Sequence, residues 1–259
     1  GEMISAVAMT EPGAGSDLQN IKATAQDMGD HYLINGSKTF ITNGYLCNIV
    51  VVAAKTDPAL GAKGISLFLV DTDMEGFSKG VPFEKVGLHA QDTCELFFED
   101  VKVPKENLLG NEGEGFKYLM TELAQERLVV ALAALALAEG TFLSTVKYVK
   151  ERPAFGKTVS DFQNTRFKIA EMSAKLEMAR IYCDQLVMMH NDKLVDSAMA
   201  SAAKYSMTEL QCEVADECVQ LHGGYGYMWE YPVARAYADA RVQRIYAGTN
   251  EIMKELIAR

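Results

Sequence analysis

GEGFKYLMTELAQERLVVALAALALAEG, residues 113–140, marks where the chain changes texture. Upstream, from Met3 to about Pro104, short apolar runs are broken by turn residues: MISAVAM, HYLI ahead of Asn35-Gly36, KTFIT ahead of Asn43-Gly44, NIVVVAAK, ISLFLVD and CELFFEDVKV. Such runs read as strands, and Asn-Gly between them is a hairpin signal. Downstream the pattern is helical over about 114–150, 161–190 and 196–221, with a short helix near 233–244 and a last one after Thr249. Arg152-Pro153 and Asp192-Lys193 separate the long helices. Three long helices with brief connections pack as an antiparallel bundle. The prediction is an α+β fold: a small antiparallel β domain over 1–110, then an antiparallel α-helical bundle over 111–259.

Within the opening stretch, VVALAALALAEG lacks a wide polar face, so its helix must be covered nearly all round, by sister helices, the β domain or another subunit. An oligomer is expected.

Composition narrows the classes. The 259 residues are 49% hydrophobic and 9% aromatic, enough for a folded core. A net charge of −10 lacks the electrostatic footprint of a nucleic-acid binder. It does not exclude an anionic ligand, which local Arg, Lys and helix ends can hold. The longest apolar run, residues 128–138, falls short of the ~20 residues of a membrane span, and no secretory leader is visible. Five cysteines without a CxxC suit a reducing compartment. Cys218 and His222 stand four apart, but no second ligand pair follows and no metal is expected. Gly1 in place of Met, running straight into strand-like sequence, is expected of a chain that starts inside a longer protein.

Four stretches hold candidate chemistry. MTEPGAGSD, residues 9–17, follows a strand and is neither GxSxG nor GxGxxG. It reads either as a glycine turn or as a loop offering amides and hydroxyls to a planar or phosphorylated ligand. ERPAFGK, residues 151–157, is an interhelix turn or, through Arg152 beside Phe155, a place for a pyrophosphate and a ring. QLHGGYGYMWEYP, residues 220–232, caps a helix with glycine, yet leaves bare backbone next to aromatics. RIYAGTNEIM, residues 244–253, reaches a Thr-Asn-Glu helix start through Ala247 and Gly248. Small residues there leave room for a ligand at the positive end of a helix. Glu126, where a polar helical start turns apolar, is a surface glutamate or a carboxylate in a water-poor cleft, raised toward the range of a general base.

Together these stretches resemble the acyl-CoA dehydrogenase family along the whole chain, with wording nearest its long-chain and isovaleryl branch. AMTEPGAGSD looks like one family signature; QLHGGYGYMWEYP and RIYAGTNEIMKELIAR look like the second signature and the closing helix. The resemblance implies FAD and the oxidation of an acyl-CoA to the trans-2-enoyl-CoA, with electrons passing to an electron-transfer flavoprotein. It implies a homotetramer or homodimer, in bacterial cytoplasm or the mitochondrial matrix. Family members usually begin with a further helical domain, which this sequence does not include. An oxidase that passes electrons to oxygen, or an inactive assembly fragment, stand as alternatives.

Residue by residue, the resemblance implies that Met9, Thr10, Phe40, Ile41 and Thr42 surround the flavin ring and that Ser16 meets cofactor or substrate. Arg152, Phe155, Gln163, Gln220, Leu221, His222, Gly223 and Gly224 would reach FAD from the neighbouring subunit; Thr249, Asn250 and Glu251 would meet their own subunit's FAD. Tyr118, Gln125, Glu126, Arg127, Ala247 and Gly248 would face the substrate. Many relatives carry the catalytic glutamate where this chain has Ala247. In the long-chain and isovaleryl branch the base comes from the position of Glu126, and the amide at Ala247 is left to help hold the thioester oxygen.

Overall fold

The computed structural model describes residues 1–259, which divide into two units, one over 1–85 and 89–121, the other over 86–88 and 122–259. In the first, seven strands form one sheet: β1 Ser5–Ala8, β2 Thr24–Asp27, β3 His31–Thr42, β4 Ile49–Lys55, β5 Ile65–Asp71, β6 Phe77–Lys79 and β7 Thr93–Pro104. The order is β1-β4-β2-β3-β7-β6, with β5 on β4. Pairing is antiparallel except that β4 runs parallel to β1 and meets β2 in parallel at one position, Thr24 against Lys55. The core is the inward face of these strands, among them Tyr32, Ile34, Val50, Val52, Phe68, Leu96, Phe98, Val101 and Val103.

Asn35-Gly36 is not a hairpin turn. It lies inside β3, at the first of two register shifts against β7. Gly36 is required there because its φ is +143° and a Cβ would stand 2.7 Å from the Ala23 side chain. The β2–β3 turn falls instead at residues 28–31, where the Met28 amide donates to the His31 carbonyl at 2.9 Å. Asn43-Gly44 does turn the chain, with Asn43 at φ 59°, but β3 and β4 are not partners.

The second unit is helical: α1 Gly115–Glu151, which begins in the first unit, α2 Gln163–Asn191, α3 Ser197–His222, α4 Pro232–Ala240 and α5 Asn250–Ala258. Ion pairs fix the directions. Lys168 pairs with Glu217 and Lys175 with Glu213, so α2 and α3 run antiparallel. Arg127 meets Ser197 and Tyr148 meets His222, so α1 and α3 run in the same sense. The core contains Leu128, Ala131, Ala134, Leu135 and Ala138 of α1, with Leu176 and Cys183 of α2 and Met207 and Cys218 of α3. Small residues let these helices approach closely. α1 is long and apolar enough, by length and composition, to cross a membrane, but this buried face packs on helices. Its other face, with Val129, Leu137 and Leu143, is exposed in the single chain. The all-round cover expected of this helix is therefore only half supplied by its own unit.

Candidate functional site

In the β unit, five residues expected at a flavin ring line one cavity. It measures about 330 Å³ and is bounded by Ser5, Ala6, Val7, Met9, Thr10, Phe40, Ile41, Thr42 and Asn43. Two devices build it. The second register shift of β3, between Lys38 and Ile41, lets the strand bulge. Phe40 adopts φ 58° there, and its ring projects outward, 67% exposed and 5.6 Å from Phe83. The other device is a buried ion pair. Lys38 donates to Glu11 at 2.8 Å and to the Met9 carbonyl at 3.0 Å, and the Glu11 carboxylate also accepts from the amides of Lys22 and Ala23. Burial pulls the Lys38 pKa down and Glu11 pushes it back up. The Thr39 amide donates to the Thr10 carbonyl at 2.9 Å, tying the Met9–Thr10 loop to β3. Ser16 is exposed just beyond the tight turn that bridges Glu11 and Ala14.

A cavity with an apolar floor and an aromatic flap, whose Thr10 and Thr42 hydroxyls make no hydrogen bond within the chain, suits a flat heteroaromatic ring with polar edges. The residues present therefore fit FAD.

In the helical unit, Glu122, Gln125, Glu126 and Val129 line an open cleft of about 400 Å³ along one face of α1. Glu126 is exposed on its wall. Partial burial and the neighbouring Glu122 nonetheless raise the Glu126 pKa above its ordinary value, with Arg127 opposing. Arg127 turns inward, 6% exposed, and donates to the Ser197 hydroxyl at 3.3 Å. Tyr118 is held elsewhere, in the β unit: its hydroxyl donates to Glu114 at 2.8 Å and accepts from the Asn111 amide at 3.0 Å.

The loop before α5 answers why its residues are small. Ala247 and Gly248 both occupy the left-handed region, at φ 54° and 89°, and a Cβ on Gly248 would lie 2.6 Å from the Met253 methyl. That conformation costs an alanine roughly 1–2 kcal/mol, so the surroundings must enforce it. Thr249 caps α5 by accepting from the Ile252 amide at 3.3 Å. The Asn250 side chain is buried, bonded to Lys204, Thr208 and Glu209, and so supports the loop from behind. Glu251 is exposed, and its own backbone amide is the main cause of a lowered pKa, with the Thr249 hydroxyl assisting. It is thus a poorer proton acceptor than Glu126.

The remaining candidates collect at the other end of α3. His222 stacks on Tyr148 at 4.1 Å, donates through Nδ1–H to the Cys218 carbonyl at 2.8 Å, and has its pKa lowered by burial. Arg152 lies over the Tyr225 ring at 5.1 Å. Gln220, Gly223 and Gly224 are exposed, and Leu221 is half-buried. The ERPAFGK turn is a hairpin of β8 Pro153–Ala154 and β9 Lys157–Thr158. Its two central residues, Phe155 and Gly156, have φ 52° and 78°, and Phe155 is 96% exposed. Gln163 is exposed at the start of α2.

Sequence reading missed Lys38 and Lys204, both fully buried. A signal existed for each. Lys38 keeps the period-two inward phase of Tyr32 and Ile34, and Lys204 follows Ala200 at helical spacing on the buried stripe of α3.

Residues 6–101 match the model of the acyl-CoA dehydrogenase middle domain, and residues 113–259 that of the acyl-CoA dehydrogenase C-terminal domain. The chain belongs to the acyl-CoA dehydrogenase family. Within it, the chain is 56% identical over 261 residues to a mitochondrial long-chain specific acyl-CoA dehydrogenase of Sus scrofa, a match covering 100% of this chain and 61% of the relative. The caffeyl-CoA reductase-Etf complex subunit CarC of Acetobacterium woodii is 46% identical, over 98% of this chain and 67% of its own. A crystal structure of an acyl-CoA dehydrogenase from Geobacillus kaustophilus superposes with a TM-score of 0.98 at 55% identity, covering 100% of this chain and 68% of that one. The chain thus spans about three-fifths of the length of the long-chain relative.

Proposed function

We propose that the whole protein oxidises a fatty acyl-CoA to the trans-2-enoyl-CoA, with FAD as cofactor, Glu126 as the base and an electron-transfer flavoprotein as acceptor. The observation that carries this reading is the cavity of the β unit, whose wall contains Met9, Thr10, Phe40, Ile41 and Thr42. Bound FAD supplies the acceptor for the β-hydride. Met9, Ile41 and the projecting Phe40 ring would hold its ring and exclude water, and Thr10 and Thr42 would satisfy its polar edge.

The chain's remaining task is to move a proton. An α-proton of a thioester is a weak acid, so the developing enolate needs a donor in place beforehand. The Ala247 amide serves as that donor, which is why the position can lose a carboxylate side chain and keep its use. The Glu126 carboxylate takes the proton; its raised pKa makes it a better acceptor than an ordinary glutamate. Arg152, Phe155 and residues 220–224 would reach the cofactor of a second subunit, in a dimer or tetramer.

The test is anaerobic titration of the flavin-loaded, full-length protein with a panel of acyl-CoA thioesters. Bleaching of the flavin absorbance, reversed by added electron-transfer flavoprotein, is expected. Failure of every thioester to bleach it would overturn the reading.

A further inference from the structure

The geometry points to Lys204 as the positioning residue of the loop formed by residues 247–250, which it holds through two hydrogen bonds in the shape that presents the Ala247 amide. Its role in catalysis rests on the function proposed above; its role as anchor rests on its hydrogen bonds to the loop. Lys204 has no solvent exposure. Its ammonium donates to the Gly248 carbonyl at 2.8 Å and to Asn250 Oδ1 at 2.9 Å, and neither acceptor is charged. A buried cation bonded to neutral acceptors is costly to keep, so this placement is poorly accounted for by stability. Its acceptors say what it accomplishes. One is the carbonyl of the second left-handed residue, and the other is the first residue of α5. One ammonium therefore ties the strained corner to the helix start.

The acceptors are themselves fixed. Asn250 Nδ2 donates to Thr208 at 3.0 Å and to Glu209 at 2.8 Å, and Glu209 pairs with Arg244 at 2.6 Å. The charged groups that face Lys204 are Arg127 of α1, Glu209 of its own helix and Glu251 of α5. Burial, with Arg127 adding to it and Glu251 and Glu209 opposing, brings its pKa down to about 8. Above that pH a neutral amine keeps its N–H donors but loses the charge assistance that makes such bonds strong. The loop should then loosen. Global stability should move the other way: between about pH 8 and the ordinary lysine value of 10.5 the unfolded chain binds the extra proton, so this group's contribution to stability rises with pH. Loop order and fold stability thus respond to alkali in opposite directions.

The experiment compares wild type, Lys204→Met and Lys204→Arg as flavin-loaded, full-length protein. Amide hydrogen exchange across residues 245–252 is measured at pH 7 and pH 9 and corrected for the intrinsic effect of pH, beside steady-state kinetics over the same range. In Lys204→Met, exchange at 247–250 should accelerate about tenfold or more while the α2 and α3 core is unchanged. Its kcat should fall by about 10²-fold with KM changed by less than about threefold, since the amide matters most to the developing charge. Wild type should show selective loosening of the loop and a falling kcat above pH 8, and Lys204→Arg, charged throughout, should lack both. Wild-type exchange alone decides the matter if neither variant folds: corrected rates at 247–250 that match between pH 7 and pH 9 would overturn the assignment. A wild type that no acyl-CoA bleaches, but whose loop still loosens selectively at pH 9, would sink the proposed reaction and leave the anchor standing.

Discussion

The two units position their candidate residues by opposite means. In the β unit, Met9, Thr10, Phe40, Ile41 and Thr42 come together within one chain around one cavity, fixed by a bulge and the Glu11–Lys38 pair. In the helical unit the cofactor candidates divide between two places. Thr249, Asn250 and Glu251 start α5 near Lys204, whereas Arg152 and residues 220–224 lie by His222, about 27 Å farther along α3 at the rise of an α-helix. One planar ring cannot touch both groups from the same copy. The β cavity is walled by residues of one unit, whereas the far end of the bundle presents exposed groups, Phe155 above all, which we propose serve a second subunit.

The largest test of that contrast is the base. Glu126→Gln keeps shape and removes the proton acceptor, so flavin and acyl-CoA should still bind while flavin reduction slows by about 10²-fold to 10⁴-fold or more. Because the Glu126 pKa is raised, the wild-type rate should fall on acidification at a higher pH than an ordinary glutamate would give, and this limb should vanish in the variant. Reduction at the wild-type rate would transfer the role to Glu122 or Glu251. Adding Ala247→Glu to the Glu126→Gln protein should restore part of the rate, limited by misplacement, since ~1 Å can cost about 10²-fold.

Breaking the β cavity's internal support comes next. Lys38→Met strands the Glu11 carboxylate, which keeps its two backbone amides but loses its ammonium. Loss of one member of a buried pair costs roughly 3–5 kcal/mol, seen as a lower urea midpoint, and FAD should be lost with it. Adding Glu11→Gln should recover part of that stability. Urea midpoints for Lys38→Met equal to wild type would show that the pair does not shape the loop.

How much of this could be read in advance depended on periodicity. The long helices lie within two residues of their expected bounds because their ends carry plain signals, such as Asp196, which caps α3 by accepting from the Met199 amide at 2.8 Å. Asn35-Gly36 misled because its glycine answers a tertiary contact, Ala23, that local sequence does not contain. Ala247 and Gly248 were legible as small but not as left-handed, since that follows from Met253 and Lys204 packing behind them. Buried lysines defeat composition-based reading, because lysine is ordinarily a surface residue.

At the exposed end, Arg152→Ala should speed loss of FAD on dialysis more than it slows chemistry in molecules that keep it. A charge-assisted hydrogen bond lost to the cofactor of another subunit costs about 1.5–3 kcal/mol, whereas within the chain Arg152 gives up its place over Tyr225 and its electrostatic influence on Tyr148. Unchanged flavin content after dialysis would confine Arg152 to that local contact.

The smallest effect should fall at Phe155, where local and intermolecular demands pull apart. Phe155 and Gly156 are the two central residues of a two-residue hairpin and both have positive φ, the pattern of a type I′ turn, for which Asn-Gly is preferred. A phenylalanine in the left-handed region is strained by about 1 kcal/mol, and its ring, 96% exposed, recovers little by packing beyond a T-shaped contact with Phe162 at 6.1 Å. Phe155→Asn should therefore leave the melting temperature of the flavin-free protein unchanged or raise it slightly. If the ring covers a neighbouring subunit's cofactor, the same variant should release FAD several-fold faster. Opposite signs in the two measurements would place the value of Phe155 outside its own chain. Equal FAD release in variant and wild type would return it to the turn, and the proposal that this end of the bundle serves a second subunit would then rest on Arg152 and residues 220–224.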